Sequence, residues 1–123
     1  MAMKGAIGIF LEYYRNGRGE NVILSYIVKI DNSIDALEIE IVLDELDRRG
    51  AVYIQTDEVA TRHMQDKMYE MKISRHRIFY MYATGNRVIL LHVCQKQKRS
   101  TEKMDMELGL KRMREMMRHH KEK

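Results

Sequence analysis

Proline and tryptophan are absent from this chain, and cysteine occurs once, at Cys94. A lone thiol forms no internal disulfide, so a reducing compartment is expected, and with it a cytoplasmic location. No apolar run approaches the roughly 20 residues that a membrane span needs, so no membrane partner is expected. The start, Met1-Ala2-Met3-Lys4, lacks the succession of basic, apolar and small residues that marks a signal peptide. A phosphate-cradling glycine loop, a nucleotide-fold signature and a Ser-His-Asp pattern are also missing. His119 and His120 sit side by side near the end of the sequence, and His63 and His76 are scattered. Metal ions need several converging ligands with satisfied outer contacts, so neither a metal nor a cofactor is expected.

What the chain does have is an uneven charge. Its 123 residues and 45% apolar content suit a single domain over residues 1–123 with one core. Eleven methionines fit the role of adaptable core fillers. The net charge is +4, yet residues 1–60 carry 6 basic and 11 acidic side chains. Residues 61–95 carry 6 basic and 2 acidic, and residues 96–123 carry 10 basic and 5 acidic. Such asymmetry points to a polyanionic partner for the second half, with a merely solvated basic face as the alternative.

Along the chain, Ala6 to Tyr14 reads as a strand closed by the turn-like Arg15-Asn16-Gly17-Arg18-Gly19. Val22, Ile23, Tyr26, Ile27 and Ile30 recur at helical spacing, although their β-branching leaves a strand as an alternative. Asn32 or Ser33 caps a second helix, whose acidic start and Arg48-Arg49-Gly50 end suit the helix dipole and a glycine stop. Its expected buried stripe is Ala36, Ile39, Leu43 and Leu46. Ala51 to Gln55 reads as a short strand or linker, and Thr56 to Lys67 as loop. Ser100 or Thr101 caps a last helix, with a buried stripe of Met106, Leu110, Met113 and Met117.

Between these lie two expected hairpins spanning Met68 to Lys98. Taking Gly85-Asn86 as a two-residue turn pairs Met81 with Leu90, Phe79 with His92, Arg77 with Cys94 and Arg75 with Lys96. Folding Met68–Ile73 back about Ser74-Arg75 sets Lys72 opposite Arg77, Met71 opposite Ile78 and Tyr69 opposite Tyr80. One face is then apolar, and the other gathers Lys72, Arg77, His92 and Lys96 at one end. Like charges placed opposite each other destabilise a sheet, so an anion, and phosphate first of all, is the expected ligand. The expected fold is α+β: an antiparallel twisted sheet of about four strands, a helix hairpin on one face and a C-terminal helix by the cationic face.

A cationic site without a metal suits RNA cleavage, because the 2′-hydroxyl is an internal nucleophile. The reaction needs a base, an acid and positive charge around the crowded phosphorane. Arg77 offers bidentate contacts to phosphate oxygens, and Lys72 and Lys96 offer neutralising charge. His92 has an ordinary pKa near neutrality, with a hydrogen-bonded core histidine as the alternative. Glu70, on the same face, offers a plainer explanation, an ion pair with one of the cations.

These residues also carry a family resemblance. Tyr69-Glu70-Met71-Lys72, Arg77-Ile78-Phe79-Tyr80, Leu90-Leu91-His92-Val93-Cys94 and the segment from Lys96 to Thr101 resemble the RelE/ParE-superfamily toxins, in particular their HigB-like, phage-derived branch. The resemblance implies a RelE-like fold and a ribosome-dependent mRNA endonuclease, the toxin of a type II toxin–antitoxin system. It implies mRNA on the ribosome, with contacts to ribosomal RNA, and a small helix-turn-helix antitoxin as partners. Lys72, Arg77 and Lys96 fall at the positions expected to hold the scissile phosphate. Arg75, Lys98, Arg99, Lys111 and Arg112 are the candidates for sequence-independent RNA contacts. Val93-Cys94 stands where the branch has Gly-Phe, Gln97 replaces a lysine, and Glu102 replaces a proline. The alternative is therefore a diverged, non-catalytic RNA-binding or regulatory protein of phage or mobile-element origin. A pure interaction protein, with the last helix serving a protein partner, is a further one.

Overall fold

The computed structural model describes residues 9–96 and 102–121. The elements run β1 (Leu11–Tyr13), α1 (Val22–Val28), α2 (Ser33–Arg49), α3 (Ala51–Ile54), β2 (Ala60–Gln65), β3 (Met68–Ile73), β4 (His76–Ala83), β5 (Arg87–Gln95) and α4 (Glu102–Lys121). The fold is α+β, but the sheet has five strands in the order β1-β5-β4-β3-β2. It is mixed, because β1 runs parallel to β5 while the other pairs are antiparallel. The expectation of four antiparallel strands is corrected at both edges. Of the first expected strand, residues 6–8 lie outside the described residues.

Each end of the helix hairpin has a local cause. The Asn21 side chain accepts from the Leu24 amide and starts α1, so the helical reading of that segment holds. Asn32 accepts from the amides of Ile34 and Asp35 and starts α2. Gly50 stops α2 at φ +67°. Asn86 then secures the junction: its carbonyl accepts from the Ala51 amide, its Oδ1 from Val52 and its Nδ2 donates to the Arg49 carbonyl at 2.7 Å. The segment Ala51 to Gln55, expected as a short strand or linker, instead forms a single helical turn over Ala51–Ile54 held by this asparagine.

The β3–β4 register is as expected, with Lys72 opposite Arg77, Met71 opposite Ile78 and Tyr69 opposite Tyr80. In β4–β5 the outer half is also as expected, with Arg77 opposite Cys94 and Phe79 opposite His92. The half near the loop is not. A bulge after Phe79 shifts it by one, so Met81 faces Ile89, Tyr82 faces Val88 and Ala83 faces Arg87. The turn is thus three residues, Thr84 to Asn86, with Gly85 and Asn86 at positive φ. The extra residue brings Asn86 to the end of α2.

Helices α1 and α2 cover the face that carries Met71 and Ile78. Ile23, Ile27, Ile39, Val42, Leu43 and Leu46 are buried there. Ala36 is only half-buried, and Asp35 takes the inner position one turn before Ile39. Asp35 accepts from Ser74 Oγ at 2.9 Å and His76 Nε2 at 3.1 Å, and pairs with Arg75 Nε at 3.0 Å. Burial alone would raise this carboxyl, but the Ser74 and His76 hydrogen bonds and the Arg75 charge outweigh it and hold it below its ordinary value. On the other face α4 lies over Met68 and Phe79, where Gly109 allows close approach. Leu110, Met113 and Met116 are buried beneath it, with Met106 and Met117 partly so. Its expected cap residues, Ser100 and Thr101, lie outside the described residues.

Two stability tests follow from these contacts. A Cβ at Gly50 would run into the Asn86 carbonyl oxygen from a backbone already at positive φ. Gly50→Ala is expected to cost about 2–4 kcal/mol in chemical denaturation. Asp35→Asn is expected to destabilise at neutral pH. Because the Asp35 pKa is depressed in the folded state, its contribution is full above the ordinary carboxylate range. It is lost as pH falls through the depressed value. The gap between wild type and Asp35→Asn in denaturation midpoint therefore narrows as pH falls below the ordinary carboxylate range and through the depressed Asp35 value.

Candidate functional site

Strand alternation puts His76 on the helix-covered face and Arg77 on the other. Lys72 and Arg77 then stand side by side on adjacent strands at the end of the sheet that α4 leaves open. Lys72 is exposed, and among the described residues it has no ion-pair partner. Arg77 is half-buried, with Nη1 donating to the carbonyls of Ser74 at 3.1 Å and His76 at 3.0 Å. These bonds orient the guanidinium from one nitrogen. Glu70, the nearest carboxylate along β3, is bound instead to Arg62 of β2 at 2.8 Å. The ion pair expected of Glu70 exists, but its partner comes from β2, within the Thr56 to Lys67 segment whose sequence reads as loop. Lys96 is exposed just beyond β5, its backbone amide donating to the Arg75 carbonyl at 2.6 Å.

His92 lies deeper, 9% exposed, under the first turns of α4. Its Nε2 is 2.8 Å from Asp105 Oδ1, and Arg112 Nη1 lies 3.3 Å from its Nδ1. A guanidinium only donates, so the network assigns Nδ1 as acceptor and Nε2–H as donor to Asp105. Burial, aided by the Arg112 charge, lowers the His92 pKa against the opposing pull of Asp105. The ring is thus held neutral with both nitrogens engaged. Arg112 also donates to the Leu91 carbonyl at 3.0 Å and lies 4.8 Å over the Tyr14 ring. Tyr14 in turn donates to Glu115 at 2.9 Å.

The structure brings Lys72 and Arg77 together, with Lys96 at the same end of the sheet, and sets His92 beneath a helix beside them. Of the RNA-binding candidates, Lys111 is exposed, Arg112 is half-buried in the His92 network and Arg75 is paired with Asp35 on the opposite face. Lys98 and Arg99 lie outside the described residues. Sequence reasoning missed Asp105 and Arg112 as partners of His92. Asp105 reads as a helix-start carboxylate and Arg112 as one of many basic residues. Their helical spacing of seven places them on one face about two turns apart, which is the available signal.

Ligand atoms of His92, Cys94 and Asp105 lie within 4.8 Å of one another. The donor set does not suit a metal. A metal on Nε2 requires a proton on Nδ1, where the Arg112 guanidinium already presents its own. Burial, followed by the charge and hydrogen bond of Asp105, pushes the Cys94 thiol up to about 12 against a small opposing effect of Arg77. The thiol is therefore protonated, and the trio is a hydrogen-bonded cluster.

Among the described residues no helix is long and apolar enough to cross a membrane. A family model described as "Phage derived protein Gp49-like (DUF891)" matches residues 32–114, which run from the α2 cap past Arg112. No curated protein matches the chain.

The His92 network makes directional predictions for an NMR titration. The His92 midpoint lies below the ordinary 6.5. Asp105→Asn lowers it further and Arg112→Met raises it. In the folded protein Cys94 reacts with a thiol reagent at pH 8 at least about tenfold more slowly than in the unfolded chain, as its raised pKa requires.

Proposed function

This chain belongs to the Gp49-like, phage-derived family, a RelE/toxin-like family, and on that premise we propose that it is the toxin of a type II toxin–antitoxin pair. Its proposed activity is metal-independent cleavage of mRNA on the ribosome. The HigB-like branch is our assignment from the segments 69–72, 77–80 and 90–94. The observation that carries the reading is the pair Lys72 and Arg77. Two cations directly opposite on neighbouring strands cost up to about 1 kcal/mol. Glu70, which would explain them away, is occupied by Arg62. Asp105, bound to His92, is a second carboxylate near this corner, and a phosphate across the open end supplies negative charge directly to the pair.

In the proposed reaction the RNA 2′-oxygen attacks the adjacent phosphorus as its proton leaves for a base. The P–O5′ bond breaks, and the 5′-oxygen takes up a proton. The products are a 2′,3′-cyclic phosphate and a 5′-hydroxyl. The nitrogens of Arg77 not directed at the Ser74 and His76 carbonyls face the non-bridging oxygens, and Lys72 and Lys96 neutralise the phosphorane. His92, kept neutral with its proton on Nε2, is suited to donate a hydrogen bond to a phosphate oxygen once Nε2 is released from Asp105. That release requires the first turn of α4 to shift. Exposed Lys111 and the basic segment 96–99 add contacts to RNA phosphates, and a small helix-turn-helix antitoxin is the proposed protein partner.

The engagement of both His92 nitrogens also favours a second reading, an RNA-binding or regulatory protein that has kept the fold and lost the chemistry. Induced expression separates them. The toxin reading expects growth arrest and new 5′-hydroxyl ends on mRNA in ribosome-containing translation reactions. It expects Arg77→Ala to reduce cleavage about 10²–10³-fold, with the protein still folded by circular dichroism. Equal cleavage by wild type and Arg77→Ala would overturn the site. Salt-sensitive RNA binding with no cleaved ends would establish the second reading instead.

A further inference from the structure

The solvent-facing side of α2 is apolar where an outer helix surface is ordinarily polar. Ile34, Leu37 and Ile41 are 68%, 53% and 52% exposed. Their spacing of three and four residues aligns them as one stripe over two turns. Diametrically opposite, Ile39, Leu43 and Leu46 fill the core. A helix that is apolar on both sides is generally covered on both sides, and a contiguous outer stripe marks an interaction surface more often than single exposed residues do.

The charge around the stripe indicates what covers it. From Ser33 to Asp47 the helix carries six carboxylates and no basic residue. Glu38 flanks the stripe on one side and Glu40 on the other, by helical position. Glu40 also lines a groove of about 920 Å³ that Leu24 and Val28 of α1 share, and Val28 is 78% exposed. An anionic lipid surface would be repelled by this rim. A second copy of the chain has a basic helix in α4, but that helix lies on the opposite face of the sheet. Such a contact would be head-to-tail, building a ring or a filament rather than a closed two-fold dimer.

We propose that the Ile34–Leu37–Ile41 stripe is the docking surface for an amphipathic helix of a different polypeptide, with apolar residues at matching spacing and lysine or arginine on both flanks. The helix-in-groove mode supplies the affinity through apolar anchors, and the charged rim sets orientation and selectivity. This holds whether or not the cationic end cleaves RNA, since the two surfaces lie on opposite faces of the sheet.

The test uses the full chain and a fluorescent 20-residue helical peptide with leucines at i, i+3, i+7 and i+10 and lysine and arginine beside them. One control peptide replaces the basic residues by glutamate, and another scrambles the order. Fluorescence anisotropy is expected to show the basic amphipathic peptide binding at least tenfold more tightly than either control. The double variant Leu37→Ser, Ile41→Ser is expected to lose at least tenfold. Glu38→Gln with Glu40→Gln is expected to lose several-fold and to flatten the salt dependence. Val52→Ser, which removes an exposed apolar residue outside the stripe, is expected to leave binding unchanged. All the substituted positions are exposed or lie at the surface, and circular dichroism checks that each variant is folded. The proposal is overturned if the scrambled peptide binds equally well, or if the stripe variants bind as wild type does. It is also overturned if sedimentation shows the wild type self-associating through a contact that Ile41→Ser abolishes. RNA cleavage, read separately with Arg77→Ala, stands or falls on its own.

Discussion

The buried carboxylate of Asp35 is the contact on which the arrangement of this molecule turns. It is 3% exposed, and it gathers Ser74, Arg75 and His76, the whole β3–β4 turn, against the first turn of α2. Tyr26 of α1 completes the joint from the other helix, its hydroxyl 2.9 Å from His76 Nδ1. A carboxylate removed from water is costly unless every oxygen is engaged, and here three side chains engage it. The result is orientation. Once His76 points to the helices, the period-two alternation of a strand sends Arg77 to the opposite face. The cation pair at the open end follows from a carboxylate buried on the far side of the sheet.

The two faces are covered unequally, and that inequality leaves room for a site. The α1–α2 hairpin is fastened at two points, by Asp35 at one end and by Asn86 at the other. It therefore lies along the full sheet. Helix α4 is seated by Gly109 against Met68 and Phe79 and by Arg112 against Tyr14 and Leu91. Its buried residues gather toward the middle and far end of the helix, over the apolar part of the face. Lys72 and Arg77 stay outside its shadow.

The parts legible in the sequence were those where polar and apolar residues alternate. The run from Met71 to Phe79 alternates clearly enough to fix its pairing, and with it the juxtaposition of Lys72 and Arg77. From Tyr80 to Met81 and from Val88 to Leu91 every residue is apolar, so a one-residue bulge leaves no mark in the pattern. Strand β2, Ala-Thr-Arg-His-Met-Gln, is an exposed edge whose polar residues suit its position but give no strand signal. The pairing of β1 with β5 joins residues nearly eighty positions apart and depends on the finished sheet. Asn86 reads as a turn former, which it is, but its three hydrogen bonds to the α2–α3 junction arise only in the folded protein. Arg112 looks like one more basic surface residue because charge counts do not distinguish a solvated guanidinium from one lying over a tyrosine ring.

Asp105 connects the seat of α4 to the chemistry proposed for the open end. Its carboxylate lies against His92 and against Cys94, which stands opposite Arg77 on the neighbouring strand. A phosphate approaching Lys72 and Arg77 meets a resident anion. A hydrogen bond of the Asp105–His92 kind, with one ionised partner, contributes about 1.5–3 kcal/mol. Two or three charge-assisted contacts from Lys72, Arg77 and Lys96 to one phosphate are of at least that size together. The balance is close enough that RNA held at several phosphates would displace Asp105 while an isolated small anion would not. In the proposed reaction the freed His92 is then a neutral hydrogen-bond donor through Nε2, because burial and Arg112 have already disfavoured its charged form and Nδ1 stays with Arg112. In that proposal the contact that keeps His92 occupied in the free protein makes its release depend on a polyanionic ligand.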